Sequence, residues 1–102
     1  MIRYLKTFVV AAHTASFSLT GARLGLTQSA VSTQIKRLED TLNCLLFERM
    51  GKSIALSPHG KALLPTAQEI LRLYESMHGH AAEGFDSAGT IVLRQFRPQP
   101  LG

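Results

Sequence analysis

Residues 16–38, Ser-Phe-Ser-Leu-Thr-Gly-Ala-Arg-Leu-Gly-Leu-Thr-Gln-Ser-Ala-Val-Ser-Thr-Gln-Ile-Lys-Arg-Leu, constrain the fold more than any other stretch of this chain. They read as two short helices joined by a tight turn. The first runs from about Ser18 to Leu24, and Gly25 supplies the left-handed residue that ends a helix without Cβ strain. Thr27 is a good N-cap for the second helix, over 28–42. From there Ala30, Val31, Ile35, Leu38 and Leu42 recur at helical spacing and predict one buried stripe. Gln28, Ser29, Ser32, Thr33 and Lys36 fall on the opposite face. A first turn offering Gln and Ser, with cations behind it, suits base edges in front and phosphates at the flank.

The rest of the chain fits around this helix-turn-helix. A helix from about Ile2 to Thr14 places Leu5, Phe8, Val9 and Ala12 on one face and Arg3, Lys6 and Thr7 outside. Phe17 is expected in the core beside Leu5 and Val9. Gly21 sits inside a helix at a cost of about 1 kcal/mol relative to Ala, which predicts a close approach of two backbones there. Residues 47–56 look like a short hairpin turning at Gly51, with Ile54 and Leu56 inward and Arg49 and Lys52 free to meet phosphates. Such a basic hairpin after a helix-turn-helix is a wing.

Ser57-Pro58 then opens a long helix, with an N-cap followed by proline at the first helical position. Between Gly60 and about Met77 its apolar residues exceed what one small domain can cover. The series Leu63, Ala67, Ile70, Tyr74 and Met77, with Leu71 beside it, makes a coiled-coil-like seam that asks for a second copy of the helix. Pro65 should kink this helix or loosen its first turns. Beyond Gly79 the periodicity fades. Thr90-Ile91-Val92-Leu93 reads as one short strand, and Arg94–Gly102 as a disordered tail.

Composition narrows the function classes. The chain of 102 residues has one domain's worth of core and a net charge of +4. Residues 1–64 carry +5 and residues 65–102 carry −1, so the positive charge accompanies the helix-turn-helix, as a polyanion partner requires. No run approaches a membrane span, and the N-terminus is not a signal peptide. Cys44 is the sole cysteine and reads as a small buried hydrophobe. His13, His59, His78 and His80 are scattered and make no metal site. No nucleophile elbow, phosphate loop or catalytic carboxylate pair is present, so neither enzyme activity nor a cofactor is expected. A cytoplasmic location follows.

Several blocks in order carry a family resemblance: Phe8, Ser16-Phe17, Leu24, Thr27-Gln28-Ser29-Ala30-Val31-Ser32, Gln34-Ile35, Leu38-Glu39, Leu46-Phe47-Glu48-Arg49 and Leu56-Ser57-Pro58-His59-Gly60. Residues 1 to about 78 resemble the N-terminal region of LysR-type transcriptional regulators. The resemblance implies a mainly α fold: a winged helix-turn-helix of three helices and a β-hairpin wing over 1–57, then a dimerisation linker helix over 58–78. It implies major-groove contacts from Gln28, Ser29, Ser32 and Thr33, phosphate contacts from Thr27, Lys36, Arg49 and Lys52, and dimerisation through the helix after Ser57. The expected partners are double-stranded DNA and a second copy, with no small-molecule ligand on this chain.

Three departures qualify the match. Thr20-Gly21 stands where the family usually has two alanines, and Thr33 where an arginine is common. Family members also continue into a two-lobed effector domain, whereas residues 79–102 read as a truncated hinge in which 89–93 resembles that domain's first strand. The rival reading is an interaction protein that pairs with full-length relatives through the linker helix alone. Arg37 is expected to bridge to Asp40 three residues on, leaving Lys36 for DNA.

Overall fold

A computed structural model describes the backbone of residues 1–96 and the side chains of residues 1–79. The elements follow in the order α1 (Ile2–Thr14), α2 (Phe17–Leu24), α3 (Gln28–Leu42), β1 (Phe47–Met50), β2 (Ser53–Leu56) and α4 (Pro58–Phe96). The chain divides into two units, Met1–Leu71 and a second that begins at Arg72.

Each junction in the first unit has an identifiable local cause. Ala15 ends α1 in the left-handed conformation at φ 56°, and extended Ser16 caps α2 by accepting the Leu19 N–H at 3.1 Å. Thr20 is fully buried yet satisfied: its hydroxyl donates to the Ser16 carbonyl at 2.7 Å and lies 2.9 Å from Thr14 Oγ1. Gly25 ends α2 at φ 72°. The Leu26 N–H then returns to the Gly21 carbonyl at 2.8 Å, and a Cβ on Gly21 would run into the Leu26 carbonyl oxygen. That is the close backbone approach the glycine predicted.

The core of this unit is Phe8, Val31, Ile35, Leu38, Leu46 and Ala67. Of the stripe expected on α3, Val31, Ile35 and Leu38 are buried, Ala30 is half-buried and Leu42 is 42% exposed. Phe17 does pack against the core, through Phe47: the two rings meet edge to face at 5.6 Å, and Phe47 meets Phe8 likewise at 5.7 Å. A polar pair ties α1 to α3, with Thr7 Oγ1 2.6 Å from Gln34 Oε1.

The hairpin is fixed to the helices at two places. Its strands pair antiparallel, Phe47 with Leu56 and Arg49 with Ile54, and the Ile54 N–H reaches the Ala15 carbonyl at 3.3 Å. At its base, the Leu46 N–H donates to Glu39 Oε2 at 2.8 Å. Ser57 joins the hairpin to α4. Its hydroxyl donates to the Leu45 carbonyl at 2.5 Å and accepts the Gly60 N–H at 2.9 Å, while its own N–H donates to the Leu46 carbonyl. Gly60 is obligatory here, because a Cβ would collide with the Leu46 carbonyl oxygen.

Two expectations about the long helix are corrected. α4 continues to Phe96, not to Met77 or residue 78, so residues 90–93 are helical and not a strand, and the tail expected from residue 79 is helical through Phe96. A lone strand has no ladder to join, whereas a helix satisfies its own backbone. Residues 97–102 of the expected disordered tail lie outside the described residues. Ala67 is 4% exposed and part of this chain's own core, so it has no surface to offer a partner, and Leu63 is half-buried against the same core. The first turns of α4 therefore complete the winged-helix core within the single chain. No helix among the described residues is long and apolar enough to cross a membrane.

Candidate nucleic-acid interface

The N-terminus of α3 is held by Thr27, whose Oγ1 accepts the Ala30 N–H at 3.1 Å while its carbonyl accepts the Val31 N–H at 3.1 Å. Capping fixes the direction in which the first turn projects. Gln28, Ser29 and Thr33 are exposed on that turn and the next; Ser32 is half-buried. The buried positions Val31, Ile35 and Leu38 pin the opposite side of the helix to the core. The polar face therefore points to solvent because the apolar one cannot.

A groove of about 170 Å³ separates α3 from the hairpin, and it explains the position of Ser32. Ser32, Lys36 and Glu39 line its α3 side, Arg49 and Glu48 its hairpin side, with Phe17, Ile35, Leu45, Phe47 and Ile54 also lining it. Arg49 is exposed there and pairs in the ladder with Ile54, which lines the same groove. Lys52 sits in the two-residue turn Gly51-Lys52, where Gly51 takes φ 64°, and is exposed. Ser32, Lys36 and Arg49 are thus gathered along one groove, Gln28, Ser29 and Thr33 are arrayed on the open turns of α3, and Lys52 stands apart at the hairpin tip. Thr27 is exposed, but its side chain is already engaged in capping.

The charges near Lys36 differ from expectation. Asp40 pairs with Lys36, Nζ to Oδ1 3.5 Å, rather than with Arg37. Four residues along a helix brings side chains closer in angle than three, and a cation and an anion so placed meet readily. Sequence reasoning also missed Glu48 on the groove wall and the clamp from Glu39 to the Leu46 N–H. The first was hidden because Glu48 looks like a solvated strand residue. The second joins groups seven residues apart, beyond any helical spacing. Cys44 is half-buried, and among the described residues no group of three or more His, Cys, Asp or Glu could hold a metal ion.

Three helices, a hairpin braced on the α1–α2 junction and a groove beside a capped α3 define the class: a winged helix-turn-helix. Comparison with known proteins then makes the assignment particular. Residues 2–61 match the family described as bacterial regulatory helix-turn-helix protein, lysR family, and the chain belongs to that family. It is 48% identical over 71 residues to an HTH-type transcriptional regulator in the ibpB-leuC intergenic region of Azotobacter vinelandii, covering 70% of this chain and 49% of that protein. Among solved structures it superposes on Vibrio fischeri DarR in complex with DNA, at a TM-score of 0.78 and 31% identity, covering 81% of this chain and 28% of that one. It also superposes on the CbnR DBD in its DNA complex, at 0.77 and 28% identity, covering 82% of this chain and 97% of that one. The chain spans about half the length of the Azotobacter relative and carries the DNA-binding domain of a LysR-type regulator.

Proposed function

We propose that this domain reads double-stranded DNA sequence-specifically as a homodimer, recognising an interrupted palindrome in the bacterial cytoplasm. Gln28, Ser29, Ser32 and Thr33 contact base edges in the major groove. Lys36, Arg49 and Lys52 contact phosphates, and Thr27 adds a contact at the helix cap. The observation that carries this reading is the shared groove: Ser32 and Lys36 of α3 face Arg49 of the hairpin across it, so one DNA backbone can run between base-reading helix and wing. That CbnR and DarR are seen with DNA supports the same docking for this chain.

The dimer rests on the apolar surface α4 leaves open. Ile70 and, in the second unit, Leu73, Tyr74 and Met77 are all exposed, Met77 at 70%. Tyr74 stacks on His78, which fixes the ring on the exposed side of the helix. Leu42 and Ile70 also line an apolar pocket of about 80 Å³, with Leu5, Phe8 and Leu63 among the residues beneath. With Ala67 withdrawn into the core, the interface consists of Ile70, Leu71, Tyr74 and Met77, with Leu63 at its edge and Leu73 added.

Titration of a mixed-sequence duplex at salt concentrations from about 50 to about 200 mM tests the phosphate contacts. Lys52→Ala weakens binding to all sequences alike and flattens the log–log salt slope by about one per bound protomer. A slope indifferent to Lys52 would remove the hairpin tip from the interface.

A further inference from the structure

We propose that Asp40 acts as a brake on DNA affinity: it holds Lys36 in an ion pair, lowers the interface's net charge by one per protomer, and so weakens binding to every sequence alike. The inference rests on the phosphate role given to Lys36 above. The charge distribution along α3 is anomalous. The last turn of a helix carries partial negative charge and favours cations, yet the last turn of α3 has no basic residue and contains Glu39 and Asp40. Glu39 has a structural reason to be there, since it accepts the Leu46 N–H at the base of the hairpin. Asp40 has no such backbone bond; it is 66% exposed and faces Lys36. A carboxylate that opposes its own helix and meets the cation on the groove wall makes sense as a tuner of that cation.

The chemistry is electrostatic competition. A phosphate approaching Lys36 must displace or share it with Asp40, and it meets a like charge in doing so. That penalty applies to every sequence, so it weakens random binding fully. In the cognate complex, base contacts along Gln28, Ser29, Ser32 and Thr33 add to the affinity and leave the penalty in place, so the cognate-to-random ratio is unchanged. Asp40 is therefore a positioning residue acting through Lys36, not a DNA ligand.

The test compares the full chain with Asp40→Asn, Lys36→Gln and the double variant, each titrated with cognate and random duplex across salt. Asp40→Asn should tighten cognate and random binding alike by several-fold and steepen the salt slope by about one per protomer, with the cognate-to-random ratio unchanged. In the Lys36→Gln background those effects should vanish, because the partner is gone. Persistence of the full effect without Lys36 would overturn the claim that Asp40 acts through it. A raised melting temperature with an unchanged slope would reduce Asp40 to helix electrostatics and also overturn it. A Lys36→Gln variant with the wild-type slope would overturn both this inference and the phosphate role of Lys36; an unchanged slope for Asp40→Asn beside a flattened one for Lys36→Gln overturns the brake alone.

Discussion

Two backbone positions at the helix junctions show what a single residue can decide. Gly21 has no room for a methyl group, since the Leu26 carbonyl oxygen occupies the space a Cβ needs. Gly21→Ala is therefore expected to destabilise the fold by about 1–3 kcal/mol, the range for overpacking a well-filled site, despite alanine's better helix propensity. Thermal or urea unfolding measures it, and a stabilised variant would show that α2 can shift. Ala15 is the reverse case. It holds φ 56° with a Cβ present, so Ala15→Gly should raise stability by about 1 kcal/mol in the same assay. Gly21 was legible in the sequence as a tolerated weakness in a helix. Ala15 was not, because alanine carries no left-handed signature and the Ile54 N–H that engages its carbonyl comes from a strand far along the chain.

At the scale of elements, caps were the most legible feature and helix ends the least. Thr27 and Ser57 were readable because a small hydroxyl residue before an apolar-periodic run has one common use, and both do cap their helices. Thr27→Ala should cost about 1 kcal/mol of stability, seen as a lower unfolding midpoint, and it should also weaken DNA binding by loosening the first turn of α3. Unchanged affinity alongside lost stability would separate the cap from recognition. The hairpin, the three winged-helix helices and the start of α4 were placed from local pattern alone. The far end of α4 was not. Gly79, Gly84 and Gly89 are residues that commonly stop a helix, but each costs only about 1 kcal/mol inside one, so glycine marks a possible end and not a certain one. The assignment of Ala67 to a dimer seam failed for a related reason. Periodicity shows which residues share a face, while burial depends on whether this chain or another covers it. Here Leu46, Phe8 and their neighbours cover Ala67.

For the whole molecule, charge and apolar surface are distributed as a dimeric DNA reader needs. Positive charge concentrates in residues 1–64, and exposed apolar side chains lie along α4. Ile70→Glu should leave the winged-helix unit folded, since Ile70 is 39% exposed, but convert the dimer to a monomer by sedimentation and abolish cooperative binding to paired half-sites. A dimer that survives the substitution would place the interface elsewhere. Sequence reading by α3 in a two-fold assembly is the property on which the proposed function turns. Selection of bound duplexes from a random pool, run in parallel with wild type and Gln28→Ala, addresses it most directly. The expected product is an interrupted palindrome with half-sites about one helical turn apart. Gln28→Ala should relax preference at one position per half-site and bind more weakly by about 1–3 kcal/mol. A pool that stays unenriched, or a Gln28→Ala variant selecting the same sequence with the same stringency, would contradict sequence reading by α3.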